Sequence, residues 1–435
     1  MATLYVSSRT VRFDPDDPQQ SMFTLLYGDE VETGAAPGTG RVSATYRGRL
    51  GKIDSARLTT KHPCELYFID AGQGDATFIV TPGFKKILID GGRGAEAFQF
   101  LVWKYRLDLP ASPDVDIDLL VISHADEDHL AGLKNIVGHP HIHVKRVIHS
   151  GIGKFKSGFN TKLGARVNTP QGLMLTTRHD AITDLAGLSL TRDMDDWRKV
   201  IVQENTAFGA VDSSSAPIDV GDPAVTLTVL GPHLSQVNGA PAYAWFDAPS
   251  DAAGAHTVNG HSVVLRLDCG NVRVLFPGDI NIEGSDHLLA LPGFAAQAAS
   301  HVLKAPHHGS HEFTRSFLEA VRPQTTVISS GDDHDYGHPR PNFLGVIGAA
   351  SRSDEPLVYS TELAGNFIVD ADAAAADATD DANALNGALI GQARRRFKRY
   401  LNGLINVRTD GTTIYTARRV AASFQFITYE QDLVP

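Results

Sequence analysis

Four side chains able to hold a metal ion fall within six residues: His124, Asp126, Asp128 and His129, in the run Ser123-His124-Ala125-Asp126-Glu127-Asp128-His129-Leu130-Ala131-Gly132. The run follows an apolar strand-like segment, Ile117 to Ser123, and precedes a helix-like one, Leu130 to Val137. It therefore occupies a tight loop at the C-terminal end of a strand, where open sheets build sites. Alternation along such a loop lets His124 and Asp126 point to one side and Asp128 and His129 to another, as two adjacent divalent ions require. The competing reading is a solvated polar loop with incidental histidines. So many titratable groups beside so apolar a strand would be costly without a compensating cation, which weighs against it.

Two ions need more than four ligands, and later strand-like runs end in further candidates. Phe276-Pro277-Gly278-Asp279 closes one, with a carboxylate placed to bridge two ions. Lys304-Ala305-Pro306-His307-His308-Gly309-Ser310 closes another, and Asp335-Tyr336-Gly337-His338-Pro339 follows a third. Each alone is weak, since a lone Gly-Asp is usually a turn and a lone histidine usually surface or core; their repeated place after strand ends is the signal.

The elements that must position these residues alternate between sheet and helix, which predicts an α/β fold. Leu66 to Ile69 and Thr77 to Val80 flank the turn Asp70-Ala71-Gly72-Gln73-Gly74-Asp75, and Lys86 to Ile89 leads into Asp90-Gly91-Gly92. Apolar runs bounded by Gly and Asp read as buried strands. A helix is expected over Ala95 to Tyr105, a helix-like piece over Ser285 to Leu291, and strands over Ser262 to Leu267, Val272 to Phe276, His301 to Lys304, Thr325 to Ser329 and Leu363 to Val369. Leu404 to Tyr415 reads as a hairpin about the Asp410-Gly411 turn. Residues 1–62 alternate short β-like runs with turns and are read as a β-rich appendage resembling small SH3-like barrels, ahead of a catalytic domain over 63–435. That domain is interrupted by an irregular insertion at about 150–259 and by another at 370–400, which includes the Ala/Asp tract Asp370 to Asp381.

Composition narrows the function. The chain has 435 residues, 42% hydrophobic and 20% charged, and no apolar stretch approaches the roughly 18 residues of a membrane span. Its first residues lack the pattern of a secretory signal, so the expected location is the cytoplasm, away from membranes. Cys64 and Cys269 are far apart and give neither a disulfide framework nor a Cys-type zinc spacing. A net charge of -11 argues against gripping nucleic acid through a broad basic surface. A polyanionic substrate would have to be held by bound cations and a few basic groups. The run Arg394-Arg395-Arg396-Phe397-Lys398-Arg399-Tyr400 could contact a nucleic-acid backbone, or could be a solvated face balancing the acidic tract before it.

The succession Gln73-Gly74-Asp75, Ile89-Asp90-Gly91-Gly92, His124-x-Asp126-x-Asp128-His129 and Phe276-Pro277-Gly278-Asp279 resembles the metallo-β-lactamase superfamily. With Lys304-Ala305-Pro306-His307-His308-Gly309-Ser310 and Tyr336-Gly337-His338-Pro339 it resembles the soluble domain attached to the DNA-uptake channel of competent bacteria and its free-standing relatives. The likeness runs from about Glu65 to Tyr415, with the insertion and the Ala/Asp tract unmatched. It implies an αββα sandwich with a binuclear metal site along one edge. His124, Asp126, Asp128, His129 and Asp279 would be ligands, Asp279 bridging, with His307 the next choice. Asp126 stands where the superfamily usually has histidine, so the first position is richer in oxygen: zinc leads, with manganese or magnesium as rivals. A further ligand is expected near Asn259-Gly260-His261-Ser262, with His261, Asn259 or neither filling it. His308 and His338 could bind metal, orient a substrate phosphate or protonate a leaving group.

The expected function is metal-dependent hydrolysis by an activated hydroxide, first of all on phosphodiesters, with nucleic acid as one candidate substrate. Asp128 or Asp279 would align the attacking water, and Lys304 would pair with a phosphate oxygen. Asp70, Asp75 and Asp90 are read as loop braces. Hydrolysis of small esters, thioesters or lactams is the alternative chemistry. A non-catalytic binding module is the alternative class.

Overall fold

The apolar runs flanking the Asp70 to Asp75 turn are neighbouring strands of one sheet, as their burial on both faces demands. In this computed structural model, which describes residues 2–34, 36–109, 112–156, 162–204, 206–331, 337–361, 403–419 and 426–435, strands Cys64–Phe68, Thr77–Val80 and Lys86–Ile89 pair antiparallel in that order. Leu119–Ile122 runs parallel to Lys86–Ile89, with Arg146–His149 parallel beyond it and Ala207–Ala210 at the edge. On the other side of Cys64–Phe68 lie Ile405–Thr409, Thr413–Arg419 and Phe426–Asp432, completing nine strands. A second sheet has six: Val225–Gly231, Val264–Cys269, Val272–Phe276, Val302–Lys304, Thr325–Ile328 and Leu357–Ser360.

The two sheets face each other across one apolar layer. Leu66, Phe68, Ile79, Ile87 and Val121 of the larger sheet pack with Leu227, Leu265, Leu267, Val274 and Val302 of the smaller. Helices Glu96–Tyr105 and Arg192–Glu204 cover the outside of the larger sheet through Phe100, Leu101, Trp197 and Ile201. Ile282–Leu289, Arg315–Val321 and Pro341–Ala350 cover the smaller through Leu288, Phe317 and Phe343. The fold is the expected αββα sandwich of the α/β class. The strands that carry the site end at one edge of it, and the parallel ones deliver their C-terminal loops there together.

Residues 2–59 supply a separate seven-stranded antiparallel sheet around Leu4, Val6, Phe13, Leu25, Val31 and Ile53. The segment 150–259 differs from the expectation of a pure insertion. It contains a small four-stranded sheet (Arg166–Thr169, Gly172–Leu175, Ala240–Ala244, Ser235–Val237), but Ala207–Ala210 and Val225–Gly231 are edge strands of the two main sheets. Short strands between polar turns look peripheral in sequence because their partners lie far away along the chain. Cys64 and Cys269, equally far apart, are both free and buried, and the hydrogen bond that Cys64 donates to Cys269, reinforced by burial, pushes the Cys64 thiol up. The strand expected at Leu363 to Val369, the Ala/Asp tract and the basic run Arg394 to Tyr400 lie outside the described residues. Among the described residues no helix is long and apolar enough to cross a membrane.

Candidate metal centre

Strand Leu119–Ile122 ends in Ser123 and His124, and the chain then turns into the short helix Glu127–Leu130, which carries Asp128 and His129. Opposite, Val272–Phe276 ends in the Gly278 turn that presents Asp279, and Val302–Lys304 ends in the Pro306–Gly309 turn that presents His308. Asp128, His129, Asp279 and His308 converge, each offering one ligand atom, and these atoms all lie within 4.8 Å of one another. His308 Nε2 is 3.0 Å from Asp279 Oδ2 and 3.4 Å from Asp128 Oδ2, and His129 Nε2 is 3.2 Å from Asp279 Oδ2. Among the described residues, His129 Nε2, His308 Nε2 and Asp279 Oδ1 are buried without a hydrogen-bond partner. Buried polar atoms are rarely left so, and two imidazole nitrogens with two carboxylates are a donor set that a divalent ion satisfies.

The surrounding groups aim these donors. Asp90 accepts from His129 Nδ1 at 2.9 Å and from the Ser123 amide at 2.8 Å, which leaves Nε2 of His129 for an ion. The Ser329 carbonyl accepts from His308 Nδ1 at 2.9 Å and does the same for that ring. Asp75 pairs with the Lys304 ammonium, whose nitrogen is 3.6 Å from Asp279 Oδ1, and Asp75 Oδ1 is 3.4 Å from His308 Nδ1. Burial opposes charge on His129 and His308, yet the carboxylates around them, Asp279 foremost, raise both well above the usual imidazole range. Burial alone would raise Asp128 and Asp279. The imidazoles overrule it, and both carboxyls are lowered. The cluster is thus a place that concentrates positive charge.

Residues 69–212, which include the His124 to His129 loop, match the family model described as Metallo-beta-lactamase superfamily. The chain carries a metallo-β-lactamase superfamily domain. Over 306 residues, 66% of its length, the chain is 24% identical to ComE operon protein 3 of Bacillus subtilis (strain 168). Over 82 residues, 19% of its length, it is 39% identical to Competence protein ComA of Neisseria gonorrhoeae. The aligned parts make up 31% and 12% of these relatives, so the chain spans less than a third of either.

The remaining candidates of the metallo-β-lactamase domain separate into those near the four donors and those turned away. His124 lies against His129, ring centroids 4.0 Å apart, with Nδ1 facing the hydroxyls of Ser123 and Ser262 and Nε2 buried and unpartnered. Asp126 is held by Lys154, 2.6 Å from its Nζ. His261 corrects the sequence reading: its Nε2 bonds the Ala244 carbonyl at 2.8 Å, its ring stacks on Phe246, and burial lowers it to about 3. It is a neutral packing residue. Asn259, the alternative there, has a buried and unpartnered Oδ1. His307 is a second correction, because it faces Glu312 at 3.2 Å while His308, for which metal binding and catalytic roles were both open from sequence, takes the place among the donors. Both adopt left-handed backbone, φ 44° and 53°, and this tight turn carries adjacent side chains to different surroundings. His338 stacks beside His308 at 6.2 Å, outside the four-donor group, and burial lowers it to about 3. Asp75, Asp90 and Lys154 were not identified as site residues by sequence reasoning. For Asp75 and Asp90 the signal was their Gly-flanked motifs after strand ends; for Lys154 there was none.

Proposed function

We propose that this chain is a metal-dependent hydrolase acting on phosphodiesters, as a phosphodiesterase or nuclease. The observation that carries the reading is the convergence of Asp128, His129, Asp279 and His308 on one buried point, with Lys304 behind it. A divalent ion held there by Asp128, His129, Asp279 and His308, zinc or else manganese or magnesium, would supply the positive charge that makes hydroxide available near neutral pH and offsets negative charge on the phosphoryl oxygens. The chain's own groups do the rest. Asp90 and the Ser329 carbonyl fix the two imidazoles, so the donors are oriented before any substrate arrives. Asp75 and Asp279 keep Lys304 charged despite its burial, a fixed positive charge suited to a phosphate-bearing substrate. His338, neutral beside His308, would donate a hydrogen bond to the substrate. In a chain of net charge -11, these local cations are what attracts an anion. The resemblance of the site motifs to the domain attached to a DNA-uptake channel favours a phosphodiester over a small ester.

The test is elemental analysis of the dialysed protein followed by turnover of bis(p-nitrophenyl) phosphate and of p-nitrophenyl acetate, with Asp128→Ala as control. Bound metal with phosphodiester turnover, lost in Asp128→Ala, is the expected result. Ester turnover alone would move the assignment to acyl hydrolysis. A chain that retains no metal would leave only a binding module.

A further inference from the structure

We infer that Lys154 is a built-in rival for one of two divalent ions, so that the two positions load unequally: first and tightly at Asp128, His129, Asp279 and His308, second and weakly at His124 and Asp126. This rests on the metal-centre reading above. Lys154 Nζ lies 2.6 Å from Asp126 Oδ1, and Asp126 takes no part in the four-donor group. Near this second position the side-chain donors are His124, whose Nε2 is buried and unpartnered, Asp126, and Asn259, whose Oδ1 is a neutral oxygen likewise unpartnered; His261 is spent on the Ala244 carbonyl. An ion bound there must share a carboxylate with an ammonium group or displace it, and like charges this close repel.

Lys154 is presented by the fold. The Thr191 amide donates to its carbonyl at 3.0 Å, the Lys156 amide to Ser189 at 2.7 Å, and the Phe155 amide to Lys162 at 2.7 Å. Phe155 itself is buried in the same apolar core as Leu190 and Trp197. Residues 154–156 are therefore tied on both sides, to Lys162 and to Ser189 and Thr191, and the lysine reaches the metal loop from a fixed base.

The experiment is calorimetric titration of the metal-stripped full chain with Mn2+ and separately with Zn2+, with bound metal counted by elemental analysis. Wild type is expected to take one tight ion and a second at least about tenfold more weakly. Lys154→Met should tighten the second by at least about tenfold and leave the first unchanged, whereas Lys154→Arg should keep the second weak. Asp126→Asn should abolish the second event alone. Two ions of equal affinity in wild type, or a second event unmoved in Lys154→Met and in the alternative variant Lys154→Gln, overturn the inference while leaving the metal-centre reading intact. No ion bound by wild type overturns both.

Discussion

Asp90 shows how a residue that touches no substrate can govern a metal centre. Its backbone is left-handed, φ 58°, and its carboxylate joins His129 Nδ1 to the Ser123 amide. Asparagine tolerates that conformation, so Asp90→Asn removes the charge without straining the turn. It is expected to weaken metal binding by about 10- to 100-fold, measured by competition with a chelating dye, with little change in melting temperature. Protons compete for the same donors. The carboxylates raise His129 and His308, and a protonated imidazole cannot ligate, so metal affinity should fall as pH is lowered. Dye competition between about pH 8 and pH 6 should show a loss approaching tenfold per unit while one such proton must leave. An affinity flat with pH would mean these imidazoles are not ligands.

At the scale of elements, the site depends on two loops meeting without side chains between them. Gly74 has φ 148°, and a Cβ there would strike the carbonyl oxygen of Asp128, to which the Asp75 amide also donates at 3.3 Å. Gly132 is equally closed in, against the carbonyl oxygens of Gly91 and Gly94. Gly74→Ala should therefore push the Asp75 loop away from the Asp128 helix. A stability loss of about 1–3 kcal/mol in urea denaturation is expected, with weaker metal binding alongside. A variant as stable as wild type that binds metal equally well would show that the loops can separate freely. The left-handed pair His307 and His308 belongs to the same scale: one tight turn decides which histidine enters the centre.

For the whole molecule, a buried ion network joins the N-terminal sheet to the metallo-β-lactamase domain. Arg408 donates to the Tyr27 carbonyl and pairs with Asp29 at 2.9 Å on one side and with Glu65 at 3.3 Å on the other, and Glu65 also meets Lys104 at 3.2 Å. Tyr27 stacks on Tyr415 across the same junction. Arg408→Ala would leave Glu65 and Asp29 without this partner, and a loss of about 3–5 kcal/mol is expected by denaturation. Burial would raise Glu65, but Lys104 and Arg408 prevail and lower it from 4.5 to about 2. A depressed carboxyl stabilises the fold above its ordinary pKa, and that stabilisation fades as pH falls from 4.5 toward about 2. Melting temperature followed through that window should drop for wild type and drop less for Glu65→Gln.

The sequence by itself determined which residue types sit at strand ends and that sheet and helix alternate, because burial and turn chemistry are local and leave a local pattern; the αββα sandwich was implied only by the family resemblance. Asp128, His129 and Asp279 were legible for that reason. The tertiary structure alone decided that His308 and not His307 joins them, that His261 turns to the Ala244 carbonyl, and that Lys154 reaches Asp126. Those outcomes depend on where a side chain points and what distant segment meets it, and neither direction nor a contact across many residues is written in spacing along the chain.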